Sequence, residues 1–237
     1  MIDKEEAIKK LRVAFSKYPE PVEVFGSPIS VGKDANSLLT SRPFRSWSDD
    51  DWKEYQFKAM STWGTEENYK YFLPKILDES FYSLGPWGSD IFFGKILSAG
   101  CHEEDEQNAL QEYMLAMWKD ASDFQWIDLT RIIALTEYLP LFTSNKKVDR
   151  LFTDWAQKWV EHTSEEVFEK LVNYINYNWV EVLYKGEPHF SFLDIVLESS
   201  FQERLQNAFF EYEQSRPQFA KIISSCEKYI SDYLATR

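Results

Sequence analysis

Apolar side chains return every three or four positions along almost the whole chain, which is the spacing of one face of an α-helix. The most regular stripe lies near the C-terminal end, at Phe219, Ile222, Ile223, Cys226, Tyr229, Ile230 and Tyr233. Val22 to Phe25 is the nearest approach to strand-like alternation, and that segment is short and flanked by prolines. The pattern therefore predicts an all-α fold with about ten helices and no strand.

Short connections between these segments predict that sequential helices pack as antiparallel neighbours. Helix pairs recur about every 40 residues, the length of HEAT-like repeats, which favours an α-α superhelix. A closed multi-helix bundle is the alternative architecture. Because no change of composition marks a boundary, we expect a single all-helical domain over residues 1–237.

The longest interruption lies near residues 19–47, where the helix-breaking residues are Pro19, Pro21, Gly26, Pro28, Gly32 and Pro43. A helix cannot run through that density of breakers. The sequence predicts an irregular loop there, with a short helical turn from Asp34 to Thr40.

Capping residues predict several helix boundaries. The segments 48–51 and 163–166 both have the spacing of a capping box, and the helix that follows the second is expected to run to Gly186. Gly64 is placed to end a helix in the left-handed region. Pro74 should either begin a new helix or kink the one it follows.

The charge balance restricts the partners. There are 26 basic and 39 acidic residues, and the formal net charge of −13 would repel nucleic-acid phosphates and anionic membranes. The N-terminal residues lack the apolar stretch of a signal peptide, and no apolar run is long enough to span a bilayer. We therefore expect a cytoplasmic protein that binds neither nucleic acid nor membrane.

No motif for a cofactor, a metal or a catalytic centre is present. The chain has no P-loop, no GxGxxG, no GxSxG, no HExxH and no Glu-x-x-His. Its two cysteines, Cys101 and Cys226, have no metal-site spacing and are predicted to be buried free thiols. The sequence thus predicts no catalytic residue, no metal and no cofactor.

The stretch from Leu38 to Leu77 reads LLTSRPFRSWSDDDWKEYQFKAMSTWGTEENYKYFLPKIL. Together with Phe15-x-x-Tyr18-Pro19, it resembles a family of uncharacterised bacterial proteins. Those proteins share an arginine-proline loop, an aromatic helix ending in Trp-Gly, and a Phe-Leu-Pro-basic segment. The resemblance covers about a quarter of the chain. It implies a bacterial, cytoplasmic source and no particular activity. Some members have closely spaced cysteines in the proline-rich loop, and this chain has none there, so a role that depends on them is absent.

Few titratable residues are candidates for a catalytic or metal-binding role. His189 lies near Glu187 and Asp194 in a predicted loop, which is the one base-and-carboxylate arrangement worth testing. The acidic runs 49–51 and 103–106 each fall in the first turn of a predicted helix, where the helix dipole stabilises negative charge. We interpret these runs as helix starts rather than as metal sites.

Six residues are predicted to bind a partner, and they are Arg42, Arg45, Trp87, Asn173, Asn176 and Tyr177. The paired arginines suit a carboxylate or phosphate, although they equally suit a helix end or the acidic run that follows them. Trp87 follows a Gly-Pro pair as an aromatic anchor. The two asparagines and Tyr177 share one predicted helix face.

The sequence favours a non-catalytic helical interaction or scaffold module that binds another protein. One alternative is an acidic immunity-like or antitoxin-like protein that neutralises a basic partner. The other is an enzyme with an unrecognised site around His189 or the arginine pair. The sequence specifies neither the partner nor the oligomeric state.

Overall fold

The structure is a computed structural model and describes residues 2–22, 24, 26, 48–82, 88–125, 127–186 and 189–237. Within these ranges the chain is helical and contains no strand, so the all-α prediction is confirmed. The only β-type pairings found there are two isolated bridges, from Trp63 to Gly26 and to Ala59. None of the helices in the described ranges is long and apolar enough to cross a membrane.

The chain divides into two compact units, Met1–Asp120 and Ala121–Arg237. The helices that begin in the first unit are α1 (Lys4–Ala14), α2 (Asp49–Lys58), α3 (Glu66–Ser80), α4 (Ser89–Ser98) and α5 (Glu104–Ala121). The second unit has α6 (Leu129–Tyr138), a 3-10 turn (Leu139–Leu141), α7 (Asn145–Glu161), α8 (Glu165–Tyr177), a π turn (Glu181–Lys185), α9 (Phe190–Val196), α10 (Ser199–Tyr212) and α11 (Pro217–Ala235). A single domain and the α-α superhelix remain predictions.

The predicted boundaries of the first unit are confirmed only in part. Ser48 caps α2 through a capping box with Asp51 as predicted. Gly64 has a positive φ of 75°, but it lies just before α3 and does not end α2, whose last residue is Lys58. Pro74 begins no new helix, because α3 continues through it to Ser80. Most of the predicted loop near 19–47, including the helical turn 34–40, lies outside the described residues.

The predicted helix from 163 to Gly186 begins one residue later than expected and is interrupted at Asn178 before it reaches its predicted end. Ser164, rather than Thr163, is the N-cap of α8, and it makes no side-chain capping bond. The helix ends at Tyr177, and the Tyr174 carbonyl accepts both the Asn178 backbone N–H at 3.0 Å and the Asn178 side-chain amide at 2.9 Å. The chain then turns through the π segment to Gly186, whose φ is 72°.

Aromatic rings fill the core of the second unit. Trp159 of α7 is fully buried, with ring centroids 4.8 Å from Trp155 and 5.6 Å from Phe192 of α9. Cys226 of α11 is buried as predicted, and its thiol donates to the Val172 carbonyl at 3.3 Å. These contacts hold α7, α8, α9 and α11 together and fix the positions of their exposed side chains.

Candidate functional site

Three of the six predicted binding residues, Arg42, Arg45 and Trp87, lie outside the described residues. The other three lie on the part of α8 that faces away from its buried side chains, and Tyr177 is 75% exposed. Asn173 and Asn176 are half-buried beside it. The three thus share a face as expected, and their binding role remains a prediction.

A groove of about 700 Å³ lies in the second unit, between the C-terminal end of α7, the start of α8 and α10. Its floor is apolar and buried, and it includes Val160, Phe168, Phe201 and Ala208. Its rim is polar and includes Gln157, Glu161, Thr163, Glu165, Ser200, Glu203, Asn207 and Glu211. A concave site with an apolar floor and a polar rim is typical of ligand and peptide pockets.

Arg204 crosses one side of the groove and closes the end of α7. Its guanidinium donates one hydrogen bond to the Val160 carbonyl and another, at 2.5 Å, to the His162 carbonyl. These oxygens belong to the last turn of α7, which has no helical partners for them. The same guanidinium lies 4.3 Å from the centroid of the Phe168 ring. Burial lowers the pKa of Arg204 from its usual value, yet the guanidinium stays protonated. Its positive charge therefore interacts favourably with the carbonyls at the end of α7.

Three of the four rim carboxylates have no ion pair within the described residues, although Glu161 accepts a hydrogen bond from the neutral Gln157 side chain. Glu161, Glu203 and Glu211 are exposed, and none makes an ion pair with any residue that the structure describes. Glu165 differs, because Arg216 donates to it at 2.7 Å. The groove therefore presents uncompensated negative charge above an apolar floor.

None of these rim residues was predicted from the sequence to bind a partner. Glu203, Asn207 and Glu211 recur at i, i+4 and i+8 on α10, so a polar stripe was visible in the sequence. A polar stripe on a helix normally faces open solvent. Only the packing of α10 against the end of α7 turns this stripe into the wall of a groove.

His189 is held between two hydrogen-bonding side chains of the second unit. Its Nδ1 lies 2.6 Å from Ser191 Oγ, and its Nε2 lies 3.0 Å from Asp149 Oδ1. Of the carboxylates expected near it, Glu187 lies outside the described residues, and the carboxylate found is on α7 instead. Because Nδ1 also accepts the Ser191 backbone N–H, the neutral ring carries its proton on Nε2 and donates it to Asp149.

A second polar cluster lies in the first unit around Glu106, whose side chain is fully buried. The Tyr18 hydroxyl donates to Glu106 Oε1, and Lys17 Nζ lies 3.2 Å from the same oxygen. Lys70 Nζ lies 3.9 Å from Oε2 and donates to the Gly100 carbonyl at 2.9 Å. The acidic run 103–106 does open a helix, as predicted, but this member faces inward.

Neither cysteine has the properties of a nucleophile. Cys101 is half-buried, not fully buried as predicted. This burial raises the pKa of its thiol to about 12, and the negative charge of Glu106 adds to that rise. Burial alone raises the pKa of Cys226 to about 12. Both thiols are free and stay protonated near neutral pH, where a reactive cysteine needs its thiolate.

No group of three or more histidine, cysteine or acidic side chains in the described ranges is arranged to hold a metal ion. No known protein family, curated protein or solved structure matches the chain. The geometry of the groove and of the His189 site is therefore the basis for assigning a function.

Proposed function

We propose that the chain is a helical interaction module that binds another protein through the groove between α7, α8 and α10. The observation that carries the proposal is the groove itself, about 700 Å³ with a buried apolar floor and an exposed polar rim. Protein–protein contacts combine a desolvated apolar centre with a polar periphery in the same way. The volume suits a short segment of a partner chain.

Two arginines connect the helices that form the groove. Arg204 joins α10 to the end of α7, and Arg216 joins the start of α11 to Glu165 and Glu169 of α8. The Arg216 guanidinium also lies 4.7 Å from the Phe219 ring centroid. A site built on rigid elements loses little entropy when a partner binds.

Asn207→Trp tests the proposal because Asn207 is exposed on the rim, so an indole there fills the groove without disturbing the core. We expect affinity capture from a native lysate to recover a partner with the wild-type chain, and about tenfold less or lower with the variant. Partner amounts are measured by quantitative mass spectrometry, and circular dichroism checks that each variant is folded.

Gln214→Trp is the matched control, since Gln214 is exposed just beyond α10 and does not line the groove. It should recover the wild-type amount of partner. Equal recovery by the Asn207 and Gln214 variants would contradict binding through this groove.

A second candidate function, acyl transfer or hydrolysis, is favoured by the series Ser191–His189–Asp149. In such a series the carboxylate orients the histidine, and the histidine accepts the serine proton. The interaction module has more support, because His189 also serves as the N-cap of α9 and Asp149 is 60% exposed. Water around an exposed carboxylate weakens its effect on the histidine.

A fluorophosphonate probe decides this second candidate, because it modifies only an activated serine. If the site is catalytic, we expect the probe to label Ser191 in the wild-type chain and not in His189→Asn. Ser199→Ala is the control, since Ser199 is exposed at the start of the next helix and has no part in the series. If the site is catalytic, this variant should be labelled to the same extent as the wild-type chain. Intact-mass spectrometry without an adduct on wild-type protein would remove the hydrolytic candidate.

A further inference from the structure

We infer that the occupant of the groove is a basic protein segment, with lysine or arginine side chains paired to Glu161, Glu203 and Glu211 while their alkyl stems cover Phe168 and Phe201. This inference rests on the proposed function, because it names the chemistry of the partner at the same groove.

Charge complementarity is the first reason. The three carboxylates are exposed and have no cationic partner within the described part of the chain, and only Glu161 has a side-chain partner there, the neutral amide of Gln157. The only cation lining the groove is Arg204. Arg204 is already bonded to two backbone carbonyls and stacked on Phe168. An acidic or phosphorylated segment would meet the rim carboxylates and be repelled, whereas a basic one gains three ion pairs.

The end of α7 is the second reason. Glu161 is the last residue of α7, and the partial negative charge of a helix C-terminus adds to that of its side chain. Arg204 satisfies the carbonyls of Val160 and His162 from the α10 side. The Glu161 carboxylate accepts a hydrogen bond from the neutral Gln157 side chain and has no cation among the described residues, so it is the acceptor that remains for a partner cation.

The apolar floor is the third reason, because it distinguishes a lysine or arginine side chain from a simple inorganic cation. Phe168, Phe201 and Ala208 line the groove and are almost fully buried. Long basic side chains lay their methylene stems along such surfaces and keep the charged end at the polar rim. A lysine or arginine side chain can therefore contact the apolar floor and the acidic rim at the same time.

The spacing of the α10 carboxylates sets the register of the segment. Glu203 and Glu211 are eight positions apart on α10, which places them about 12 Å apart along the helix axis. An extended chain advances about 3.3 Å per residue, so residues i and i+4 lie about 13 Å apart and point to the same side. The matching segment is extended and has basic residues four positions apart.

The direct test measures binding of a fluorescently labelled peptide, Thr-Lys-Thr-Val-Thr-Lys-Thr, by fluorescence anisotropy. We expect it to bind the wild-type chain about tenfold or more tightly than the same peptide with glutamate in place of lysine. The affinity should fall as salt is raised. The double variant Glu203→Lys/Glu211→Lys should weaken binding of the lysine peptide by about tenfold or more.

Asp194→Lys/Glu213→Lys is the matched control, because both residues are exposed, lie outside the groove and change the net charge by the same amount. It should bind the lysine peptide within about twofold of wild type, apart from the general effect of net charge. Equal weakening by the two double variants would show non-specific attraction to an acidic protein and would overturn the inference.

Partner capture separates the inference from the proposed function. A partner that is lost with Asn207→Trp but retained with Glu203→Lys/Glu211→Lys shows that the groove binds a segment that is not basic. That result overturns the inference and leaves the proposed function standing. A partner that is retained with both variants contradicts the proposed function itself.

Discussion

Replacing Trp159 with alanine is expected to lower the free energy of unfolding by about 4 kcal/mol, because the change removes a large, fully buried side chain from the core of the second unit. The indole ring lies 4.8 Å from Trp155, 5.6 Å from Phe192 and 5.9 Å from Tyr174, measured between ring centroids. Alanine leaves a cavity that these rings cannot close without leaving their own packed positions. Urea unfolding followed by far-UV circular dichroism measures the loss.

Two further variants show whether ring packing is the cause. Trp159→Phe keeps a ring and removes an indole N–H that is buried and has no acceptor among the described residues, so we expect a cost of about 1 kcal/mol. Phe210→Ala removes a ring that is 72% exposed and should cost less than about 0.5 kcal/mol. If Trp159→Ala were no more costly than Phe210→Ala, the described core of the second unit would be wrong.

Helix positions were predictable from sequence because burying one face of a helix requires apolar residues at a fixed spacing. The stripe from Phe219 to Tyr233 became α11, with Pro217 at its first position, and Ser48 capped α2 as its local motif indicated. These features depend on residues within one or two turns of each other. Local sequence therefore contains most of the information needed to place them.

Sequence failed where a polar side chain had two plausible partners. Asn178 was expected inside a helix, but its amide bonds the Tyr174 carbonyl and α8 ends there. Glu106 was expected to stabilise a helix start in solvent, but it is buried against Tyr18 and Lys17. The Asn178 contact is local, and the spacing of apolar residues does not show it. The Glu106 contacts depend on which groups tertiary packing brings within reach, and the spacing of residues along the chain does not specify that.

The groove was not predictable for the same reason. Its rim combines Glu161 of α7 with Glu203 and Glu211 of α10, two segments about forty positions apart that carry no shared motif. Net charge predicted attraction for a basic partner, but it could not say that three acidic residues around one apolar floor have no ion pair with any described residue. The structure shows where on the chain that negative charge meets an exposed concave surface, namely at the groove.

Glu106→Ala is expected to lower the free energy of unfolding by about 3 kcal/mol, because it leaves the Tyr18 hydroxyl without its acceptor and Lys70 without its carboxylate, whereas Lys17 keeps Glu103 and Asp105. Removing one member of a buried ion pair costs about 3 to 5 kcal/mol. The lower end applies here, since the Lys17 side chain is 32% exposed and that of Lys70 is 13% exposed, so water recovers part of the loss. Chemical denaturation of the full chain gives the value.

Comparing Glu106→Ala with Glu104→Ala separates the contribution of the buried contacts from that of the helix dipole. Glu104 and Glu106 both lie in the first turn of α5, but only Glu106 is buried. Glu104→Ala loses the favourable interaction with the helix dipole and should cost less than about 1 kcal/mol. Glu106→Gln keeps an acceptor for the Tyr18 hydroxyl while losing the charge, so its cost should fall between those of the two alanine variants. Equal costs for Glu104→Ala and Glu106→Ala would mean that the helix dipole, rather than the buried contacts with Tyr18, Lys17 and Lys70, accounts for the contribution of Glu106.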